Sequence, residues 1–126
     1  MEIGNIKFKA KKTLDGKWIK GDLVHHKDSD NVWITDYENQ LTSPVDPFTV
    51  CQFTGVKDMN GKGIYAGDII SNLETGSVFE VVWNDRLKRL DCKILNGANG
   101  AGVPFGIFVS RYKRIVVLMS KFDKEK

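Results

Sequence analysis

Alternating apolar and basic residues open the chain and predict a β-strand. In residues 6–11 the even positions are apolar and the odd positions are lysine, which places the two kinds of side chain on opposite faces. The lysine face is typical of an exposed edge strand, because charge discourages pairing with another chain. Asp15-Gly16 is a strong hairpin signal, and residues 18–24 are predicted to be the returning strand.

Short strand candidates separated by turn-forming residues continue along the chain. They lie at residues 32–35, 48–53, 64–65, 69–70, 78–83 and 87–95. Residues 37–47 contain two prolines and are predicted to be a loop, with room for one helical turn. The apolar run at residues 115–119 is short and β-branched, which favours a strand, although its periodicity also fits a helix. We therefore predict a mainly β fold, a small bent sheet or SH3-like barrel with an N-terminal β-hairpin extension and little helix.

Residues 96–106 are rich in Gly, Ala and Asn and are predicted to be a loop. The glycines follow a Gly-x-x-Gly-x-Gly spacing, but no Gly-Lys-Ser/Thr follows them. The segment leads into Val103-Pro104 rather than into a clear helix. A mobile or partner-contacting loop is therefore favoured over a nucleotide-binding loop.

Length and charge limit the classes of protein that this chain can represent. Its 126 residues predict a single domain over residues 1–126. No apolar run is long enough to span a membrane and no secretion signal opens the chain, so we expect a cytoplasmic protein without a membrane partner. The net charge of +3 divides into +4, −8 and +7 over residues 1–20, 21–85 and 86–126. This division is compatible with nucleic-acid binding, and equally with complementary surfaces that pair within the chain or between subunits.

Residues 45–70 are dense in turn-forming positions and resemble the hallmark of the YopX family, whose members are small proteins of bacteriophages and prophages. The family pattern reads approximately Gln-aromatic-Thr-Gly-Leu-x-Asp-x-Asn-Gly-x-x-Ile-Tyr-Glu-Gly-Asp-Ile. The matching positions are Gln52, Phe53, Thr54, Gly55, Asp58, Asn60, Gly61, Ile64, Tyr65, Gly67, Asp68 and Ile69. The chain departs from the pattern at Ala66, where Glu is usual, at Val56, which replaces Leu, and at Cys51, where Gly is common.

The resemblance implies a mainly β fold, a phage or prophage origin and a homo-oligomer, so the cytoplasm in which we expect the protein is that of the host cell. It offers no catalytic residue to carry over. On physical grounds we expect the signature to be structural: Asn60-Gly61 suits a tight turn, and Asp58 can accept hydrogen bonds from amides two residues on. A metal site built from Asp58, Asn60 and Asp68 is the less favoured interpretation.

Other candidate chemistry is weak, and we expect neither a cofactor nor an enzyme. In a strand, His25 and His26 point to opposite faces, so the pair cannot hold one zinc ion. Cys51 and Cys92 are predicted to be reduced core residues, and no local signature supports a cysteine or serine nucleophile.

Two partner classes remain open. The favoured expectation is a non-catalytic, oligomeric protein-interaction module that binds itself or another phage or host protein. The alternative is a small β protein that binds nucleic acid through clustered basic residues, with a tyrosine available for stacking. The residues proposed for that surface are Arg86, Lys88, Arg89, Arg111, Tyr112, Lys113 and Arg114.

Overall fold

The computed structural model describes residues 6–96 and 102–123, and most of them lie in antiparallel strands. The mainly β fold with little helix is therefore confirmed. The chain divides into two compact units, Met1–Gly55 and Val56–Lys126. The single domain over residues 1–126 stays a prediction.

The first unit is built on one sheet in which the strand order is β4-β3-β2-β1-β5. The strands are β1 (Phe8–Lys11), β2 (Trp18–His25), β3 (Val32–Asp36), β4 (Thr42–Val45) and β5 (Cys51–Lys57). Strand β5 continues past the boundary into the second unit. The core on one face of this sheet joins side chains from four strands, namely Ala10, Ile19, Ile34 and Val45.

Strand β1 forms where the alternation predicts it, but its predicted place at a sheet edge is wrong. It pairs with β2 on one side and with β5 on the other. Lys9 is accordingly only 7% exposed, and its ammonium lies 4.7 Å from the centre of the Trp18 ring. Alternation identifies the two faces of a strand, whereas its neighbours depend on residues about forty positions away.

Two further predictions in this unit need correction. Residues 42–45, predicted as loop, form β4, an edge strand that tolerates Pro44 because its missing N–H faces away from the sheet. The strand predicted at residues 48–53 begins only at Cys51, because a 3-10 turn occupies Pro47–Thr49. The Asp46 carboxylate caps that turn by accepting the Phe48 N–H at 3.0 Å.

The second unit contains an open sheet with the strand order β10-β9-β8-β7-β11. Strand β6 (Gly63–Tyr65) lies beside β5. It is followed by β7 (Asp68–Asn72), β8 (Ser77–Asn84), β9 (Arg89–Ile94), β10 (Gly102–Pro104), helix α1 (Phe105–Arg111) and β11 (Ile115–Ser120). The apolar run near the C-terminus is thus a strand. Because both sheets are open, the described residues form the bent-sheet alternative and not a closed SH3-like barrel.

The predicted loop at residues 96–106 is wrong in its second half. Residues 102–104 form β10, and α1 follows Pro104 directly, while residues 97–101 lie outside the described part of the chain. Since β10 and β11 form opposite edges of the sheet, α1 crosses its face. There it buries Phe105 and Phe108 against residues of β7, β8 and β9. Within the described ranges, no helix has the length and apolar character needed to cross a membrane.

Candidate functional site

The signature turn in the second unit is shaped by the Asp58 carboxylate. Its Oδ1 accepts the N–H groups of Asn60 and Lys62, both at 2.9 Å, and the Asp58 N–H donates to the Lys62 carbonyl at 2.8 Å. Gly61 has φ of 84°, a conformation that glycine adopts without steric cost. The prediction that Asp58 accepts a hydrogen bond from an amide two residues on is therefore confirmed.

The same turn also covers part of the outer edge of β11. Asp58 Oδ2 accepts the Val117 N–H at 2.9 Å, and the Met59 N–H donates to the Ile115 carbonyl at 2.9 Å. An edge strand otherwise presents such groups to another chain. The signature thus satisfies backbone groups 59 residues away in the chain, which turn chemistry alone does not predict.

The environment of Asp58 favours its ionised form. Burial raises the pKa of this carboxyl, but hydrogen bonds from the amides of Val117, Lys62 and Asn60 act together in the opposite direction. The net pKa lies below the usual value of 3.8. A carboxylate held by three backbone donors serves as a structural acceptor.

The remaining signature residues support the backbone in similar ways. Asp68 is fully buried and accepts the Tyr65 N–H at 2.8 Å. Gly67 has φ of 95°, and its N–H donates to the Val81 carbonyl. Gly55 also has a positive φ, whereas Gln52 and Thr54 lie along β5. Across residues 6–96 and 102–123, no group of three or more acidic, His or Cys side chains could hold a metal ion.

A concave groove of about 300 Å³ opens in the second unit between the signature turn and the end of α1. Apolar side chains form its inner part: Val56, Ile64, Val109 and Ile115. More polar or more exposed residues complete the lining: Lys57, Asp58, Met59, Tyr112 and Lys113. Lys57 and Lys113 outnumber the ionised Asp58 in this lining, so the groove carries a small excess of positive charge.

The structure separates the predicted basic residues into two groups. Tyr112 and Lys113 line the groove, between Arg111 at the end of α1 and Arg114 before β11. The other three, Arg86, Lys88 and Arg89, lie at or beside the turn between β8 and β9. The register places this turn at the far end of β8 from the start of β11, roughly 25 Å away at the usual rise per residue.

Two of the basic residues in the second group also have acidic partners. Lys88 Nζ lies 3.1 Å from Asp85, and Arg89 Nε donates to the buried Asp91 at 2.8 Å. The hydrogen bond from Asn84 lowers the pKa of Asp91, and that from Arg89 adds to it against the opposing effect of burial. Arg89 is therefore partly engaged in a structural network.

The cysteines are free and buried, as predicted for reduced core residues. Burial raises the pKa of the Cys92 thiol to about 12, and the neighbouring Asp91 charge acts in the same direction. A thiol with that pKa is protonated at neutral pH, and the protonated form is a poor nucleophile.

Sequence reasoning missed Val56, Lys57, Met59 and Val109 as possible site residues. They come from two segments about fifty residues apart, and no local motif links them.

Comparison with known proteins adds one similarity. A protein-family model described as YopX protein matches residues 7–109. That range includes the N-terminal hairpin, the signature turn and most of α1. No curated protein matches the chain.

Proposed function

The chain belongs to the YopX family, and from that premise we propose that it is a non-catalytic, oligomeric protein-interaction module of phage or prophage origin. It acts in the host cytoplasm, where its partner is a second copy of itself or another phage or host protein. The observation that carries this proposal is the groove in the second unit, whose mixed lining combines aliphatic side chains with two exposed lysines. Such a surface suits an apolar side chain with acidic neighbours.

The chemistry of the signature supports a binding role over catalysis. Both oxygens of Asp58 accept backbone hydrogen bonds, so neither is poised to transfer a proton to a substrate. Cys92 is fully buried and protonated at neutral pH. Asp58 holds the turn that forms one wall of the groove, and the exposed Lys57 and Lys113 in the same lining are available for recognition.

Size-exclusion chromatography with light scattering, at low and at high salt, tests self-association. We expect a mass above that of the 14.2 kDa chain at micromolar concentration, and a lower mass at high salt, because screening weakens contacts between exposed charges. A monomer under both conditions would exclude the homo-oligomer.

Nucleic-acid binding is the second candidate, favoured by the position of Tyr112 and Lys113 between two arginines. It predicts binding to generic single-stranded DNA or RNA that weakens steeply as salt increases. Lys113→Ala should reduce the slope of log affinity against log salt by about 1, since one phosphate contact is lost. Absence of any gel shift at low salt would eliminate this candidate.

A further inference from the structure

Strand β11 has the properties that promote pairing with another chain. It forms one edge of the second sheet, and its sequence, Ile115–Ser120, contains no charged residue, proline or glycine. The first five of its residues are apolar, and three of these are β-branched. Edge strands of this composition are expected to associate edge to edge unless something prevents it.

Two features of the second unit interrupt the hydrogen-bonding edge of β11. A β-bulge shifts the register between Val117 and Met119, so the regular part of the strand is confined to residues 115–117. The signature turn lies against the same residues. The Met59 N–H donates to the Ile115 carbonyl and the Asp58 carboxylate accepts the Val117 N–H, both at 2.9 Å.

The contact between the turn and β11 imitates the pairing of two strands. Met59 supplies a backbone donor, as a neighbouring strand would, whereas Asp58 supplies a side-chain oxygen in place of a strand carbonyl. The Asp58 N–H donates to the Lys62 carbonyl at 2.8 Å, so the chain turns back within a few residues. The turn therefore occupies the edge of β11 without adding a full strand to the sheet.

We propose that Asp58 and Met59 form a protective contact, which we call the edge cover (Asp58 and Met59), that keeps β11 from pairing with the β11 strand of a second copy. Strands of three residues pair elsewhere in this unit, since Gly102–Pro104 pairs with β9. The regular part of β11 is therefore long enough to form a ladder once it is uncovered. Two identical edges can pair about a two-fold axis. This role does not depend on the assembly proposed above, which rests on the groove.

Removal of the carboxylate tests the edge cover. Asp58→Ala is expected to form a species of higher mass than the unmodified chain, with added self-association at least about tenfold tighter, measured by light scattering over a range of protein concentrations. Asp85→Ala, which removes an exposed carboxylate in the β8–β9 turn, should leave the mass unchanged. Circular dichroism verifies that both variants are folded.

Asp58→Asn is a milder second variant of nearly the same volume. Its remaining oxygen can accept the amides of Asn60 and Lys62, which places the new NH2 group, a donor, opposite the Val117 N–H. It should retain the turn, release β11 and associate in the same way. If both variants are folded and keep the mass of the unmodified chain up to the limit of solubility, the proposal is overturned.

Hydrogen exchange locates the contact between copies. In dilute Asp58→Ala, the Val117 amide should exchange faster than in the unmodified chain. As the protein concentration rises, protection should return at residues 115–117, because their outer backbone groups become paired. Association without this concentration-dependent protection would assign the contact to another surface and contradict the proposal.

A double variant separates edge pairing from loss of stability. Leu118 is 53% exposed at the β-bulge, so Leu118→Lys adds a charge to the edge with little loss of packing. Asp58→Ala combined with Leu118→Lys should be as easily unfolded as Asp58→Ala but should have the mass of the unmodified chain. If the double variant associates as strongly as Asp58→Ala, partial unfolding causes the association and the edge cover is wrong.

The same mass measurements distinguish this inference from the proposed assembly. If the unmodified chain is a monomer and Asp58→Ala associates through residues 115–117, the edge cover stands and the assembly fails. If the unmodified chain is oligomeric and both Asp58 variants keep its mass, the assembly stands and the edge cover fails.

Discussion

Phe108→Ala is expected to lower the free energy of unfolding by about 3–5 kcal/mol, the usual cost of removing a buried phenyl ring. Phe108 is almost completely buried, and its ring centre lies 4.7 Å from that of Phe79 and 5.2 Å from that of Tyr112. The loss arises from the vacated space beneath α1 and from the lost contacts with these rings. Urea unfolding followed by circular dichroism measures it.

The matched control for this substitution is Ile107→Ala. Ile107 is adjacent in α1 but is exposed to solvent, so its replacement should change stability by about 0.5 kcal/mol or less. Equal losses of unfolding free energy in the two variants would contradict the burial of the Phe108 side chain against the sheet. Because α1 also carries Val109 and leads to Tyr112 in the groove, Phe108→Ala should weaken partner binding as well.

Asp58→Ala is expected to lower the free energy of unfolding by about 2–3 kcal/mol at neutral pH, since charge-assisted hydrogen bonds to backbone amides are lost. The amides of Asn60 and Lys62 can be rehydrated in the exposed turn, whereas the Val117 amide is partly buried at the edge of β11. Faster hydrogen exchange at Val117 should accompany the loss. Asp85→Ala, which removes an exposed carboxylate, is the control.

The contribution of Asp58 to stability should also depend on pH. Its pKa is lower in the folded chain than the usual 3.8, so its stabilising effect is complete above that value and is lost as the pH falls through the folded value. Unfolding curves at pH 7 and in steps below pH 4 should therefore bring Asp58→Ala and the unmodified protein closer together in acid. If the difference in unfolding free energy between Asp58→Ala and the unmodified protein stayed constant across this pH range, the lowered pKa of Asp58 would be contradicted.

Local chemistry explains why the signature turn could be predicted. The hydrogen bond that the Asn60 amide donates to Asp58 and the positive φ of Gly61 both involve residues within a single turn. The second hydrogen bond of Asp58, which it accepts from the Val117 N–H at the outer edge of β11, could not be predicted. Val117 belongs to the last strand, 59 residues away in the chain. A turn residue thus acquires a second role only after a distant strand is placed beside it.

Helix α1, in contrast, could not be predicted from local chemistry, because its residues have only a weak intrinsic preference for the helical conformation. Phe105-Gly106-Ile107-Phe108 contains glycine and β-branched or aromatic residues, which are poor helix formers, and a proline precedes it. The helix is only seven residues long, and such short helices are not stable alone in water. Burial of Phe105 and Phe108 on the sheet supplies the stabilisation that the local sequence lacks.

The strand-rich character, most turn positions and the signature of residues 45–70 could all be predicted from the order of residues alone. These features follow from side-chain alternation and from backbone preferences that act over a few residues. In contrast, the folded chain was needed to show that β1 is an interior strand, that the basic residues form two groups and that a groove lined by aliphatic side chains and two lysines exists. Strand pairing and burial bring together residues that are far apart in the chain, and no local pattern specifies which segments meet.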